Sequence, residues 1–297
     1  MRPALTTAFA SVRQGGAEAL SPAALVDVAL RADASALVLD AGLRADLLEP
    51  LLLELERRGD ELPLLALEAP CPATVRAGGR EPELTAPERD EAKAALAAAA
   101  LTIRRAGELR APFVIVRLGE VRPAASDWVH ARDRFLRGEL DTALALRMQH
   151  ARDDAAERAL DGARRALEGL AREAERAGAV LLVRNGRRYV DVPTPRELDR
   201  LLADLQGAPV RPLLDVAAAH LTDVMGFAPM TLTLAAYAAS PLCYFGDACG
   251  PVGALGPGRG IVDLAAVKQQ LPPETRLAFS PWAGLAVVEV AEAMARF

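Results

Sequence analysis

Several short apolar runs of the chain end in a polar or charged residue whose side chain can do chemistry. These residues are Asp40, Glu68, Arg117, Arg184 with Asn185, Asp215, Tyr244, Asp247 and Ser280. Carboxylates in such a set can exchange protons, and with several oxygen or imidazole neighbours they can bind a divalent cation. Arginines instead bind carboxylates and phosphates through paired hydrogen bonds. The set predicts acid–base chemistry or the binding of an anion, with Asp215 and Glu68 as candidate acid and base.

Two further residues join the candidate site by position. His220 follows the run that ends in Asp215, and a histidine with an ordinary pKa of about 6.5 suits a general base. Arg259 lies in the glycine-rich segment 256–260, whose backbone amides are of the kind that bind phosphate. Arg187 and Arg188 fit a solvated surface better. A structural salt bridge of Arg184 with Asp215 or Glu68 stays open as the alternative to ligand binding.

The elements that must position these residues alternate regularly along the chain. The predicted strands are Leu5–Val12, Ala36–Asp40, Leu64–Glu68, Phe113–Arg117, Val180–Arg184, Val210–Asp215, Leu242–Asp247 and Arg276–Ser280. Amphipathic segments separate them, with typical helix starts at Ser21-Pro22 and Thr194-Pro195 and a typical end at Gly178. No GxGxxG turn follows the first strand. The pattern favours an α/β fold, a single (β/α)8 TIM barrel, whose strand ends share one mouth.

A single domain over residues 1–297 fits this regular alternation, with one interruption. The segment from about 120 to 150 is longer than a loop, and it carries Trp128, Phe135 and Leu140 at near-helical spacing. We expect a helical insertion after the fourth strand, over the barrel mouth. The segment Gly250–Gly260 is predicted as a glycine-rich loop.

Composition limits the classes of function. Hydrophobic residues make up 52% of the chain, which supports a large core without disulfides. The formal charge is −5, and no long run of like charge indicates a nucleic-acid partner. Three irregularly spaced cysteines fit neither a disulfide framework nor a zinc site. Without a signal-peptide pattern or an apolar stretch of about 20 residues, we expect a soluble, cytoplasmic protein with no membrane partner.

Four segments in a fixed order carry a family resemblance. They are LAREAERAGAVLLVRN (170–185), TPRELDRLLADL (194–205), PLLDVAAAH (212–220) and GPGRGIVDL (256–264). Together they resemble the sugar isomerase/epimerase superfamily, the xylose isomerase-like TIM barrels that also include a family of apurinic endonucleases. The resemblance covers residues from about 100 to 297 and reaches the first third only through the alternation of strands and helices.

The resemblance implies a divalent cation, but its ligands are mostly missing here. Such barrels hold the ion with a Glu ending strand five, an Asp ending strand six, a His on strand seven and a Glu ending strand eight. The Asp is present as Asp215, whereas the other positions fall at Arg184, near Tyr244 and at Ser280. One carboxylate does not hold a hard divalent ion, and a guanidinium adds a permanent positive charge. We therefore expect no metal and no other cofactor.

Three hypotheses follow. The first is a divergent isomerase/epimerase-like barrel, catalytic or not, that binds a small anionic or sugar-like molecule bearing a phosphate or carboxylate. An open, positive pocket would favour it. The second is a non-catalytic interaction or scaffold protein, favoured by a mouth filled with Arg–carboxylate pairs and an exposed apolar patch around Trp128 and Phe135. The third is a metal-dependent sugar isomerase/epimerase with other ligands, favoured by carboxylates and a histidine converging at the strand ends. The resemblance also implies a homodimer.

Overall fold

The computed structural model describes residues 2–10, 20–74, 81–123, 131–281 and 287–297. The strands in this part of the chain are β1 (Ala4–Thr6), β2 (Leu37–Leu39), β3 (Leu64–Glu68), β4 (Phe113–Val116), β5 (Gly119–Glu120), β6 (Val180–Arg184), β7 (Asp191–Val192), β8 (Val210–Asp215), β9 (Leu242–Tyr244), β10 (Asp247–Cys249), β11 (Val252–Leu255) and β12 (Arg276–Phe279). The helices are α1 (Pro22–Arg31), α2 (Ala45–Arg58), α3 (Arg89–Glu108), α4 (Ala131–Leu136), α5 (Thr142–Asp154), α6 (Ala156–Ala177), α7 (Pro195–Asp204), α8 (Val216–Val224), α9 (Met230–Ala236), α10 (Leu264–Gln270) and α11 (Val287–Met294).

Eight parallel strands close into a barrel. Their spatial order, β1, β2, β3, β4, β6, β8, β9 and β12, is also their order along the chain, and β12 returns to pair with β1. In the closing pairs, Leu5 lies opposite Leu37 on one side and opposite Phe279 on the other. Helices connect most of these strands, as a parallel sheet requires. The predicted (β/α)8 TIM barrel is confirmed.

The barrel strands are buried on both faces, which explains their continuous apolar runs. One face of each strand packs under the helices in the large core. The other face fills the barrel interior with a second cluster, which includes Ala4, Val38, Ala66, Ile115, Leu182, Leu213, Leu242, Tyr244 and Ala278. Because side chains alternate along a strand, the residue two positions after an interior residue also points into the barrel. The candidate site residues are therefore placed by this two-residue alternation.

Two predictions about the strands were wrong, one for the end of the first strand and one for the loop Gly250–Gly260. The first strand ends at Thr6 rather than Val12, because the Thr6 hydroxyl accepts a hydrogen bond from the Ala8 amide and begins a 3-10 turn over Thr7–Ala10. The predicted loop Gly250–Gly260 contains β11, which pairs with β10 in an antiparallel hairpin. Helix α8 was not predicted, because its first seven residues, Val216–Thr222, are all buried and therefore show no amphipathic period.

The segment predicted as a helical insertion contains α4 and α5. Both pack against a cluster formed with Tyr189, Leu221 and Phe227, and Phe135 and Leu140 contact this cluster. Trp128 and His130 lie outside the described residues. That these helices cover the barrel mouth stays a prediction.

The described residues include no helix that is both long and apolar enough to cross a membrane. All three cysteines are free thiols. Burial is the main reason that the pKa of Cys71 rises to about 12, so this thiol is not a reactive thiolate at neutral pH.

Candidate functional site

Most of the candidate residues lie at inward positions of the barrel, at the carboxyl ends of its strands. Each follows an interior residue by two positions: Asp40 follows Val38, Glu68 follows Ala66, Arg117 follows Ile115, Arg184 follows Leu182, Asp215 follows Leu213, and Ser280 follows Ala278. Tyr244 itself belongs to the interior cluster. Side chains from seven barrel strands or their ends thus lie at one mouth.

An ion-pair network centred on Arg184 occupies the middle of this mouth. Its Nε and Nη2 atoms both donate to Oδ2 of Asp215, with an Nε–Oδ2 distance of 3.1 Å. Its Nη1 atom donates to Oε1 of Glu68 at 3.1 Å. The Glu68 side chain is 4% exposed and that of Arg184 is 11% exposed, so both charges are largely removed from water. Three strands, β3, β6 and β8, are therefore joined at their ends by one guanidinium.

Tyr244 and Arg117 complete the network. The Arg184 guanidinium carbon lies 4.9 Å from the centre of the Tyr244 ring, within the range of a cation–π contact. The Tyr244 hydroxyl donates to Oε2 of Glu68 at 3.4 Å, and burial raises its pKa well above the ordinary value. Arg117 lies 3.5 Å from Glu68 and 3.5 Å from Glu81, and its side chain is half exposed. Arg117 is thus the part of the network nearest to solvent.

Asp215 is held as a carboxylate by its surroundings. Its Oδ1 accepts the Ala218 amide as the N-cap of α8. Burial favours the neutral acid, but the charges of Arg184 and Arg187 and the Ala218 hydrogen bond outweigh it. The pKa of Asp215 therefore lies below its ordinary value of 3.8. Asn185 fixes the backbone at this point, because its side chain donates to the Asp215 carbonyl and accepts from the Asp215 amide.

Arg187 is partly buried, contrary to the expectation of a solvated side chain. An ideal Cβ placed on Gly253 of the β10–β11 hairpin would lie 3.6 Å from its Nη2 atom, so the guanidinium lies against this hairpin. Burial lowers the pKa of Arg187 despite the nearby charge of Asp215. Its neighbour Arg188 is exposed, as expected, and pairs with Asp191 and Glu120.

Asp247 contradicts the phosphate-loop expectation, although the residue itself is buried beside the mouth. Its two carboxylate oxygens accept the backbone amides of Ala248, Gly258, Gly260 and Val262, at distances between 2.8 and 3.1 Å. These include the amides of the glycine-rich segment that we expected to bind phosphate. Because a carboxylate of the chain already neutralises them, Asp247 is the anchor of this loop rather than a contact for an anionic ligand.

Four other candidates make contacts with other partners. Arg259 is exposed and pairs with Glu292 of α11. His220 is buried in α8, and its Nε2 has no hydrogen-bond partner in the described part of the chain. Ser280 accepts a hydrogen bond from the Thr6 hydroxyl across the β12–β1 seam, at 3.3 Å. The backbone amide of Asp40 is bound by the Thr7 hydroxyl.

Sequence reasoning missed three contributors to the mouth: Thr6, Glu81 and the buried position of Arg187. Thr6 lies two positions after the interior residue Ala4, so the period of two was an available signal. Glu81 lies in the connection between β3 and α3, and no local pattern points to it.

A groove of about 470 Å³, open to solvent, adjoins the mouth through Asn185 and Gly186. The stacked rings of Tyr189 and Phe227 line it.

Among the described residues, no three His, Cys, Asp or Glu side chains form a cluster suited to a metal ion. The three ligand positions beyond Asp215 that the resemblance implies are occupied by a guanidinium, a phenol and a hydroxyl: Arg184, Tyr244 and Ser280. Arg184 donates hydrogen bonds to Asp215, the one implied ligand that is present.

Neither a protein-family model nor a curated protein sequence matches the chain. Solved structures do match it over nearly the whole length. A D-tagatose 3-epimerase-like protein has 14% identity and a TM-score of 0.68, covering 99% of this chain and 96% of its own. A 3-keto-D-glucoside 4-epimerase from E. coli has 13% identity and a TM-score of 0.63, with coverages of 99% and 98%. A putative xylose isomerase from Rhodospirillum rubrum has 15% identity and a TM-score of 0.63, with coverages of 100% and 98%. The chain has the xylose isomerase-like TIM-barrel fold that the sequence resemblance implied.

Proposed function

We propose that this chain is a metal-independent barrel of the sugar isomerase/epimerase-like fold that binds a small polyhydroxylated or anionic molecule at the carboxyl end of its strands. The observation that carries the proposal is the position of the Arg184 guanidinium between Glu68 and Asp215. It supplies a permanent positive charge at the centre of the mouth, where the resemblance implies a divalent ion.

The donor set of the mouth does not fit a divalent metal. Such an ion needs several oxygen or imidazole ligands, and the carboxylates of Glu68 and Asp215 already accept hydrogen bonds from Arg184. A guanidinium does not deprotonate, and Asp215 and Glu68 raise its pKa further despite burial. A divalent cation between the same carboxylates would meet this charge at short range. The donor chemistry therefore supports a ligand held without a metal.

The hydrogen bonds of Arg184 to Asp215 and Glu68 favour ligand binding over acid–base catalysis at this mouth. A general base needs a lone pair directed at the substrate, and Arg184 binds Oδ2 of Asp215 and Oε1 of Glu68. Groups at the edge of the network remain open to a ligand. Arg117 is half exposed, and the Ser280 hydroxyl has no acceptor among the described residues. Donors of this kind suit hydroxyl and carboxylate groups.

The first test is the metal content of untagged protein purified without chelator, with thermal unfolding in Mn²⁺, Mg²⁺ or Zn²⁺. We expect no stoichiometric metal and no shift in Tm. Unfolding is then measured with neutral sugars, sugar acids and sugar phosphates, at least one of which should raise Tm by mass action. One metal per chain, or a clear shift with one of the ions, would return the protein to the metal-dependent isomerases.

An interaction function is the second candidate, favoured by two exposed leucines on the helices of the 120–150 segment. Leu136 of α4 is 58% exposed and Leu146 of α5 is 48% exposed. Phe135, by contrast, packs into the cluster beneath α4. Leu136→Glu with Leu146→Glu should abolish self-association if these leucines lie in an interface between two copies of the chain. The mass in solution, measured by light scattering before and after the change, tests this.

A further inference from the structure

Four arginines lie at or beside the barrel mouth, and three of them have carboxylate partners. Arg184 pairs with Asp215 and Glu68, Arg117 with Glu68 and Glu81, and Arg188 with Asp191 and Glu120. The fourth, Arg187, forms no ion pair and no side-chain hydrogen bond with any described residue. Only its backbone amide is bound, by Oδ2 of Asp191. Its five N–H donors are therefore available to a ligand.

The Arg187 guanidinium is nevertheless placed in a confined position. It lies against the β10–β11 hairpin at Gly253, and the same hairpin position is within contact range of Ala217 and Leu221 on α8. The charges that act on it are those of Asp215, Arg184, Asp191 and Arg117, so it belongs to the same mouth. Removing a cation from water without a counter-ion is unfavourable, and an anion that binds beside it recovers part of that cost.

The charges around Arg187 also select the kind of anion. Asp215 and Asp191 place two negative charges near this position, and Arg184 and Arg117 place two positive charges that offset them. The single charge of Arg187 is therefore left over, and one negative charge on the ligand neutralises it, whereas a second would be in excess. A planar carboxylate carries one charge and matches the fork of a guanidinium with two hydrogen bonds. A phosphate carries nearly two charges at neutral pH. The electrostatics favour a carboxylate.

We infer that Arg187 is the anion-binding residue of the mouth and that the ligand is a polyhydroxylated carboxylic acid, such as an aldonic or uronic acid. The inference rests on the proposed function and specifies its ligand class. The carboxylate binds Arg187 under the hairpin, and the hydroxyl groups face Arg117 and Ser280.

The test is calorimetric titration at constant ionic strength with five probes: D-gluconate, D-glucuronate, D-glucitol, D-glucose and D-glucose 6-phosphate. The wild type should bind at least one of the two acids more tightly than its neutral counterpart and more tightly than the phosphate. Arg187→Gln should lower that affinity by about tenfold or more, because a charge-assisted pair of hydrogen bonds is lost. Its affinity for the neutral sugars should not change.

Arg188→Gln is the matched control, because it removes the neighbouring guanidinium, which already has carboxylate partners. It should leave the preference for the acid intact. Equal loss in both variants would mean a general effect of surface charge and would overturn the assignment, as would full retention of the preference in Arg187→Gln. If neutral sugars bind but acids bind no better, the inference fails and the proposed function stands. If none of the five probes binds, both fail.

Discussion

Arg152 and Arg184 are both arginines that bind carboxylates inside the protein, yet their surroundings differ in charge. The Arg152 side chain is 1% exposed and forms a two-point ion pair with Glu197, and its other donors bind the backbone carbonyls of Tyr189 and Asp191. The charge of Arg152 is thus paired with the single buried carboxylate of Glu197. Arg184 pairs with two carboxylates, stacks on an aromatic ring and lies near the guanidinium of Arg187, which has no side-chain partner among the described residues.

The difference separates a structural ion pair from a group that can take part in binding. The Arg152–Glu197 pair lies outside the barrel interior, where Glu197 also closes the capping box of α7 with Thr194. Its bonds hold α5 against α7 and against the segment between β6 and α7. The Arg184 network lies where the strands end, is partly open to solvent through Arg117, and has an excess of donors at Arg187. A ligand can add to the second arrangement without breaking it.

The largest effect that tests this comparison is on stability. Arg152→Met leaves the carboxylate of Glu197 buried without a cation, which should reduce the free energy of unfolding by about 3–5 kcal/mol. Denaturant unfolding measures this value. The control is Arg200→Ala, which breaks the exposed pair with Glu157 and should give no measurable change. A loss at Arg152 no greater than that of the control would mean that the pair is not a structural one.

A loss of similar size, with a gain of metal response, is expected at the mouth. Arg184→Glu places a third carboxylate between Glu68 and Asp215 and should reduce the free energy of unfolding by about 3–5 kcal/mol without metal. Because oxygen ligands now converge, Mn²⁺ should restore stability in this variant. Arg184→Met removes the cation without adding a ligand and should not respond. Thermal unfolding with and without Mn²⁺ compares the three proteins, and an equal Mn²⁺ response in the wild type would contradict the proposal.

The smallest effect concerns pH. Because the folded-state pKa of Asp215 lies below its ordinary 3.8, this carboxylate stabilises the fold above that pH, and the contribution is lost as the pH falls towards the folded-state value. Asp215→Asn should cost about 1–2 kcal/mol at neutral pH. The difference between wild type and variant should stay constant above about pH 5 and shrink below about pH 4. Denaturant unfolding at several pH values measures it, and a difference that grows in acid would contradict this assignment.

Much of the barrel could be predicted because its rules are local. The run Val210–Asp215 was predicted with the bounds that the structure has, since an apolar strand ends there at the aspartate that caps the next helix. That helix was missed for the opposite reason: its first seven residues, Val216–Thr222, are all buried, and burial on every side removes the amphipathic period.

The site itself was predictable in its membership but not in its contacts. Inward positions follow from the period of two, so Glu68, Arg184 and Asp215 could be expected to meet. Which guanidinium of the segment 184–188 lacks a partner depends on a hairpin more than sixty residues further along the chain. In the same way, the glycine-rich segment looks ready to bind phosphate until the structure brings Asp247 to its amides. Contacts of this range are set by tertiary packing, which no local pattern encodes.

The position of Arg184 has a consequence for the protein in its cell. A site built around a metal ion is complete only when the surrounding pool supplies that ion, and its occupancy changes with chelators, scarcity and competing ions. The guanidinium of Arg184 is made on the ribosome with the rest of the chain, so the mouth of this barrel acquires its central charge when it folds. That charge is the same in metal-poor and metal-rich surroundings, and it persists over the whole range of physiological pH.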